Sequence, residues 1–433
     1  MKIGLVHFRV GENDGVSLEM DKWKKVLERM GHEVVYVAGD LNGLPGIHIP
    51  SISMRNDTNF LIHSLAFEKL SVDERSFVKI FEEYVSKIYK ELDDNLPELD
   101  LIIVHNILSL GFNLAAAVAI TNYVREHKIK LLVHHHDFYW ERERYSRPQC
   151  QYVRKILDDY FPPKGEGIFH ITINTLARNE LIRRKNISST VVPNVFDFDQ
   201  PGWVIDDYNK DLKTTLGINE NDLVILHATR IVERKAIEIA MDFVEEFSRL
   251  ENRPIHFVLA GFPEKESMVY YEKLIKKSQK LSYKVHFANE IIKNSRYISS
   301  DGKKYYSLWD TYAISDAVTY TSVLEGWGNQ LIEAVFARKP LIIFEYPVYK
   351  SDIAPLGFEF ISLSDKAIYD NKDGFFKVER PVLTKAAISL KELISDPNLL
   401  ESQVKRNFEI GKKYLSLDSL KGYVGSILRN IQS

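Results

Sequence analysis

Residues 1–39 read MKIGLVHFRVGENDGVSLEMDKWKKVLERMGHEVVYVAG. The stretch opens on an apolar run, Ile3 to Phe8, followed by a polar, glycine-containing loop, RVGENDGVS (9–17). Val16, Met20, Trp23, Leu27 and Met30 then recur at spacings of three and four, which places them on one face of a helix. Gly31 is suited to stop that helix, and HEVVYVAG (32–39) reads as a second strand. Strand, helix and strand make a βαβ unit, whose connection is expected to be right-handed.

The same alternation continues along the chain. Strands are expected at DLIIVHN (100–106), KLLVHHH (130–136), GIFHITIN (167–174) and TVVPN (190–194), mostly separated by helical segments. A polar, turn-rich stretch, QPGWVIDDYNKDLKTTLGINEND (200–222), reads as a linker. A second series follows: Leu223 to Ala228, PIHFVLAG (254–261), KVHFAN (284–289), DAVTYTS (316–322) and PLIIFEY (340–346). Ala240, Phe243, Phe247 and Leu250 mark a buried helix face within it. The pattern predicts an α/β protein with two open parallel-sheet, Rossmann-like domains in tandem. The first is expected over 1–200 with 416–433 and the second over 201–415, with a helix break near Ser416 to Asp418. Ligands of such sheets bind outside the carboxyl ends of the strands, so the expected site is the cleft between the two domains.

Composition narrows the class of partner. With 433 residues and a net charge of −3, the chain does not have the strongly basic character of a nucleic-acid binder. A single cysteine, Cys150, rules out an internal disulfide and a cysteine-built zinc site. The N-terminal apolar run is too short for a signal peptide, and no stretch approaches the roughly 20 apolar residues of a spanning helix. The expectation is a cytoplasmic protein without a spanning membrane segment.

Four stretches carry possible chemistry. In ATRIVERK (228–235), Arg230 and Lys235 follow a strand and can hold a diphosphate; the alternative is a solvated charged turn. In YTSVLEGWGNQLIEAVFARKP (320–340), Gly326, Trp327 and Gly328 lie between a strand and a helix. The helix start suits phosphate, whereas the carboxylates of Glu325 and Glu333 suit sugar and ribose hydroxyls. Glu333 can also simply complement the helix dipole. In LLVHHHDFYWERERYSRP (131–148), His134 and His136 share one strand face while His135 points away, which argues against a cage of these three histidines. His136 or Asp137 is the expected substrate contact there. Arg142, Arg144 and Arg147 read either as an anion-recognising set or as a solvated helix face. In the first loop, Asn13 and Asp14 are candidates for an acceptor hydroxyl and also ordinary turn residues. That loop lacks the G-x-G-x-x-G fingerprint of a dinucleotide site.

Together these stretches resemble the retaining GT-B glycosyltransferases of family 4, also called group 1. SVLEGWGNQLIEA is similar to the family's stretch of two glutamates eight positions apart, ATRIVERK to its Arg and Lys pair, PNVFDFD to its domain-joining element, and HHHD to a histidine-bearing strand end. The resemblance implies that Glu325 lies by the transferred sugar, Glu333 on the ribose, Arg230 and Lys235 on the diphosphate, and His136 by the reacting carbon. Gly15, Gly326, Trp327, Gly328 and Asn329 complete the implied donor set. Asn13, Asp14, Asp137, Arg142, Arg144 and Arg147 form the implied acceptor side. More narrowly, VHFRVGENDGVSLEMDKW and HHHDFYWERERY resemble mannosylglucosyl-3-phosphoglycerate synthases, which implies GDP-mannose as donor and a small anionic acceptor.

The pattern also departs from the family. PNVFDFD lacks a glycine, Arg338 stands where a glycine is common, and FEYPVYKSDIAPLG replaces a Gly-Gly loop. The resemblance implies no tightly bound cofactor or metal, with Mg2+ at most a stimulant, and domain closure on donor binding. Base recognition is expected near HFANEII (286–292). The rival readings are a transferase using UDP- or ADP-glucose, a non-catalytic two-lobed sugar-binding protein, a GT-B phosphorylase and a nucleotide-sugar epimerase.

Overall fold

The opening βαβ unit forms as its pattern predicts. In the computed structural model, which describes residues 1–12 and 14–432, β1 (Lys2–Arg9) and β2 (Glu33–Asp40) pair in parallel, with Leu5 opposite Tyr36. The helix Gly15–Arg29 crosses between them and buries Met20, Trp23 and Leu27. Gly31, at φ +84°, ends it, with its N–H on Glu28 O and that of His32 on Leu27 O.

The chain divides into two compact units, residues 1–195 with 417–433, and residues 196–416. The break falls between Val195 and Phe196 rather than at 200/201. Phe196 already packs with the second unit, its ring 4.9 Å from that of Phe336 and 5.7 Å from that of Trp203.

In the first unit the sheet continues through β3 (Ile47–His48), β4 (Leu101–His105), β5 (Lys130–His135), β6 (Ile168–Thr172) and β7 (Thr190–Val191). The strand order is β3-β2-β1-β4-β5-β6-β7, all parallel. The strands are nearly continuous apolar runs because both faces are covered. The helix Leu417–Gln432 belongs to this unit: Leu420, Val424 and Ile427 join Met20, Trp23 and Leu27 in one core.

The second unit begins its main sheet with β8 (Leu223–His227), β9 (Ile255–Leu259) and β10 (Lys284–Phe287). A small sheet of β11 (Ile292–Lys293), β12 (Tyr297–Ile298) and β13 (Lys304–Ser307) interrupts. The main sheet resumes with β14 (Ala317–Tyr320), β15 (Leu341–Ile343) and β16 (Ile361–Ser362), giving the order β10-β9-β8-β14-β15-β16. Both orders reverse direction about a central strand, as in Rossmann-like sheets, so loops diverge at the carboxyl ends of β1 and β4 and of β8 and β14. Among the described residues, no helix is long and apolar enough to cross a membrane.

Candidate active site

In the second unit, Arg234, Lys235 and Glu325 meet where β8 and β14, hydrogen-bonded neighbours, release their loops. The loop after β14 is stitched to the loop after β8. Val323 N–H donates to Arg234 O at 2.9 Å, and the Thr321 hydroxyl donates to Lys235 O and Ala236 O at 3.1 and 3.0 Å. That backbone contact brings Glu325 onto two cations ninety positions away in sequence. Lys235 Nζ bonds Glu325 Oε1, and Arg234 Nη1 donates to Glu325 Oε2 at 2.7 Å and to Leu324 O at 2.9 Å. The Lys235 and Glu325 side chains are only 4% and 9% exposed, so this is a buried ion pair. Burial pushes the Glu325 carboxyl up, but Lys235 and then Arg234 more than offset it and hold the group down at about 2. The ammonium also lies 5.2 Å from the centre of the Tyr320 ring.

Arg230 stands apart from Lys235. Its side chain is 51% exposed and pairs with Glu264, in the loop after β9. Gly261 allows the two loops to meet: a Cβ there would lie 1.8 Å from Thr229 O. Arg230 and Lys235 thus share a loop but have different partners.

The glycine loop is held from below by a tyrosine. Tyr346 Oη donates to Trp327 O at 2.6 Å and would lie 2.3 Å from a Cβ on Gly328, whose φ is +155°. Only glycine fits there. The segment FEYPVYKSDIAPLG, which supplies Tyr346, forms a short π-helix, Tyr349–Ile353. The helix Asn329–Phe336 starts directly after Gly328, which provides no side-chain cap. Glu333 lies one turn in, buried, and accepts a hydrogen bond from the Tyr312 hydroxyl at 3.0 Å.

The helix ends on Arg338. Its φ is +52°, its N–H bonds Val335 O, and Lys339 N–H bonds Ala334 O. This is a Schellman cap, the position where glycine is favoured. The guanidinium lies 4.5 Å from the centre of the Phe408 ring.

In the first unit, the histidines of β5 separate by face. His135 stacks on His170, while His134 and His136 face His105 at the end of β4. The backbone N–H groups of His136 and Asp137 both donate to Asn106 Oδ1, at 2.9 and 3.2 Å. Burial first, and then the neighbouring His7 imidazole, push His136 down to about 3, so the ring is neutral. Asp137 pairs with Arg142 at 3.1 Å, Arg147 with Glu143 at 2.7 Å, and Arg144 donates to His63 at 3.3 Å. Each arginine therefore has a different local partner. Asp14 caps the helix Gly15–Arg29, accepting from Val16 and Ser17 N–H at 3.0 and 3.1 Å. Asn13 lies outside the described residues.

The model of the family "Glycosyl transferases group 1" matches residues 209–357, which span the loops around Lys235, Glu325 and Glu333. A mannosylglucosylglycerate synthase of Petrotoga mobilis is 42% identical over 429 residues, covering 95% of this chain and 97% of that protein. One of Thermotoga maritima is 36% identical over 426 residues, covering 97% and 98%. The chain belongs to the group 1 glycosyltransferases. It is a hexosyltransferase dependent on a nucleotide sugar. Its two Rossmann-like units form the GT-B fold. The catalytic domain of starch synthase IV from Arabidopsis thaliana has a TM-score of 0.64 at 13% identity, with 100% of this chain and 99% of that one covered. A glycosyltransferase from Rickettsia africae has 0.63 at 12%, with 100% and 98% covered.

Within this glycosyltransferase, Arg234, Tyr312, Tyr346, Asn106 and His105 accompany the expected site residues without having been singled out in sequence. Arg234 sat in plain view beside Lys235. The other four act through neighbours across a sheet or between helices, which linear spacing does not report.

Proposed function

We propose that this glycosyltransferase moves a mannosyl group from GDP-mannose to a hydroxyl of glucosylglycerate, with retention of anomeric configuration, in the cytoplasm. The observation that carries the reading is the near full-length similarity to two mannosylglucosylglycerate synthases. The acceptor read from sequence carries a phosphate, whereas the names of these relatives include none. We take the glycerate carboxylate as the anion to be recognised, with Arg142, Arg144 and Arg147 as its candidate partners. Asp137 and Glu143 already offset two of these charges, which fits a singly charged acceptor better than a phosphorylated one.

In this reading the bond between the anomeric carbon and the diphosphate breaks as the acceptor oxygen bonds that carbon, and the acceptor proton leaves with the diphosphate. Arg230, Lys235 and the start of the helix Asn329–Phe336 stabilise the departing charge without a bridging metal. Glu325, held ionised by Lys235 and Arg234, accepts from sugar hydroxyls, and Glu333 accepts from the ribose. His136, neutral, is the residue this reading assigns to the reacting carbon. The residues around 286–292 and the loop of Asp14 and Gly15 complete the donor and acceptor contacts.

The test is a product assay with GDP-, UDP- and ADP-sugars against glucosylglycerate and its 3-phosphate, with proton NMR of the new linkage. An α-linked mannoside formed from GDP-mannose and glucosylglycerate is expected. Turnover confined to the phosphorylated acceptor would overturn the acceptor assignment, and turnover confined to a glucose donor would overturn the donor assignment.

A further inference from the structure

Three imidazoles from adjacent strands meet at a buried point in the first unit. His105 ends β4 opposite His134 of β5, and His136 lies two positions on, on the same face. One ring nitrogen from each lies within 4.8 Å of the others, and His105 Nδ1 is 3.3 Å from His136 Nε2. The Trp23 ring closes one side, 5.0 Å from the His134 ring.

The polar accounting at this point does not balance. His134 is buried, and neither of its ring nitrogens has a hydrogen-bond partner among the described residues; the same holds for Nε2 of His105. A buried, unsatisfied donor or acceptor costs about 1–3 kcal/mol, and such groups are few in native proteins. A metal ion taking one lone pair from each ring satisfies one of the two open nitrogens of His134 and replaces the His105–His136 contact with ligation. Imidazole–zinc bonds of about 2.0–2.1 Å set tetrahedral nitrogens roughly 3.4 Å apart, close to the 3.3 Å His105–His136 edge, and an edge at the 4.8 Å limit shortens by roughly 1.4 Å on binding. Three imidazoles select zinc, cobalt or nickel over magnesium or calcium. Burial keeps all three rings neutral, the form that ligates. Beneath them, His7 Nδ1 donates to the His105 carbonyl at 2.8 Å and fixes the end of β4.

We propose that His105, His134 and His136 form a binding site for one divalent transition-metal ion of the zinc class. The site tethers the carboxyl ends of β4 and β5 and fixes the orientation of His136. The sequence expectation of no metal weighed three consecutive histidines and lacked His105, which comes from the neighbouring strand. The proposal does not depend on the identity of the sugar donor or acceptor.

The test uses the full chain without a histidine tag, stripped with chelator and titrated with Co2+. Visible ligand-field bands saturating at one Co2+ per chain, and abolished by Zn2+, are expected. His105→Asn and His134→Asn should lose the bands while keeping the far-UV circular dichroism of the parent. His170→Asn, on the opposite face, should retain them. Should either ligand variant fail to fold, the wild-type stoichiometry and a Zn2+-dependent rise in its melting temperature still decide the matter. Absence of saturable binding in the wild type, or bands persisting in both folded ligand variants, would overturn the site.

Discussion

Tyr312 donates its hydroxyl proton to Glu333 Oε2 across 3.0 Å, with both side chains buried. The tyrosine is itself clamped by Trp203, whose ring stacks 4.5 Å from that of Trp309. The carboxylate assigned to the ribose is therefore oriented by a rigid neighbour. Tyr312→Phe removes one hydrogen bond to a charged group without changing shape. It is expected to raise the donor KM about 3–10-fold with kcat nearly unchanged, since hydrogen bonds of this kind contribute about 1.5–3 kcal/mol at most. Steady-state kinetics on a variant with parental melting temperature checks it. An unchanged KM would remove Tyr312 from the donor site.

Lys235 and Glu325 form a buried pair in the proposed donor site, which complicates its mutation. Removing Glu325 leaves Lys235 buried without its carboxylate, and removing Lys235 leaves Glu325 with Arg234 alone; breaking a buried bridge from one side costs about 3–5 kcal/mol. Lys235→Met and Glu325→Leu alone should each lower stability strongly, and the double variant should be more stable than either single one. Urea melts of the four proteins form the cycle. Additive losses would show that the pair is not coupled.

Arg230 gives the cleaner probe of catalysis, because its side chain is exposed and, among the described residues, Glu264 is its one ion-pair partner. Arg230→Ala is expected to leave urea stability within about 0.5 kcal/mol. Turnover should fall by roughly 10²–10³ if the guanidinium faces the leaving diphosphate. Activity near the parental level would move the diphosphate contact elsewhere.

How much of this could be read in advance follows from what linear patterns encode. Buried parallel strands are apolar throughout, so runs such as Leu101–His105 and Leu223–His227 announced themselves, and their alternation with helices gave the two sheets. The small sheet at 292–307 did not, because its strands are too short, two to four residues each, to show a period. The pairing of Glu325 with Lys235 required knowing that β8 and β14 are neighbours. His105 joined His134 for the same reason across β4 and β5. Backbone conformation was equally hidden: nothing in the letters around Arg338 states that its φ is positive.

That conformation explains the missing glycine and makes a prediction. A residue with a Cβ in the left-handed region costs about 1–2 kcal/mol. The contact of Arg338 with the Phe408 ring returns about 0.5–1 kcal/mol of it. Arg338→Gly should therefore stabilise the protein modestly, by about 0.5 kcal/mol, whereas Arg338→Val, β-branched and without the cation, should destabilise it by more than 1 kcal/mol. Thermal melts of the two variants separate these signs. A Val variant as stable as the parent would refute the positive φ.

Glu238 gives a pH dependence of unusual sign. It lies at the start of the helix Ile237–Ser248, bonded by the Tyr270 hydroxyl and by Phe376 N–H, and so ties that helix to two other segments. Burial pushes its carboxyl up from 4.5 to about 7, against the hydrogen bonds that favour the charge. The folded state then holds a proton between pH 4.5 and 7 that the unfolded chain releases. The stability contributed by this group is greatest below pH 4.5 and is lost as pH rises to 7, reaching a plateau above it. Glu238→Gln keeps the shape and removes the titration. The stability of the variant relative to the parent should rise between pH 5 and 7.5, by on the order of 3 kcal/mol, in urea melts at matched ionic strength. Parallel stability curves for the two proteins across that range would show that Glu238 is already ionised in the fold.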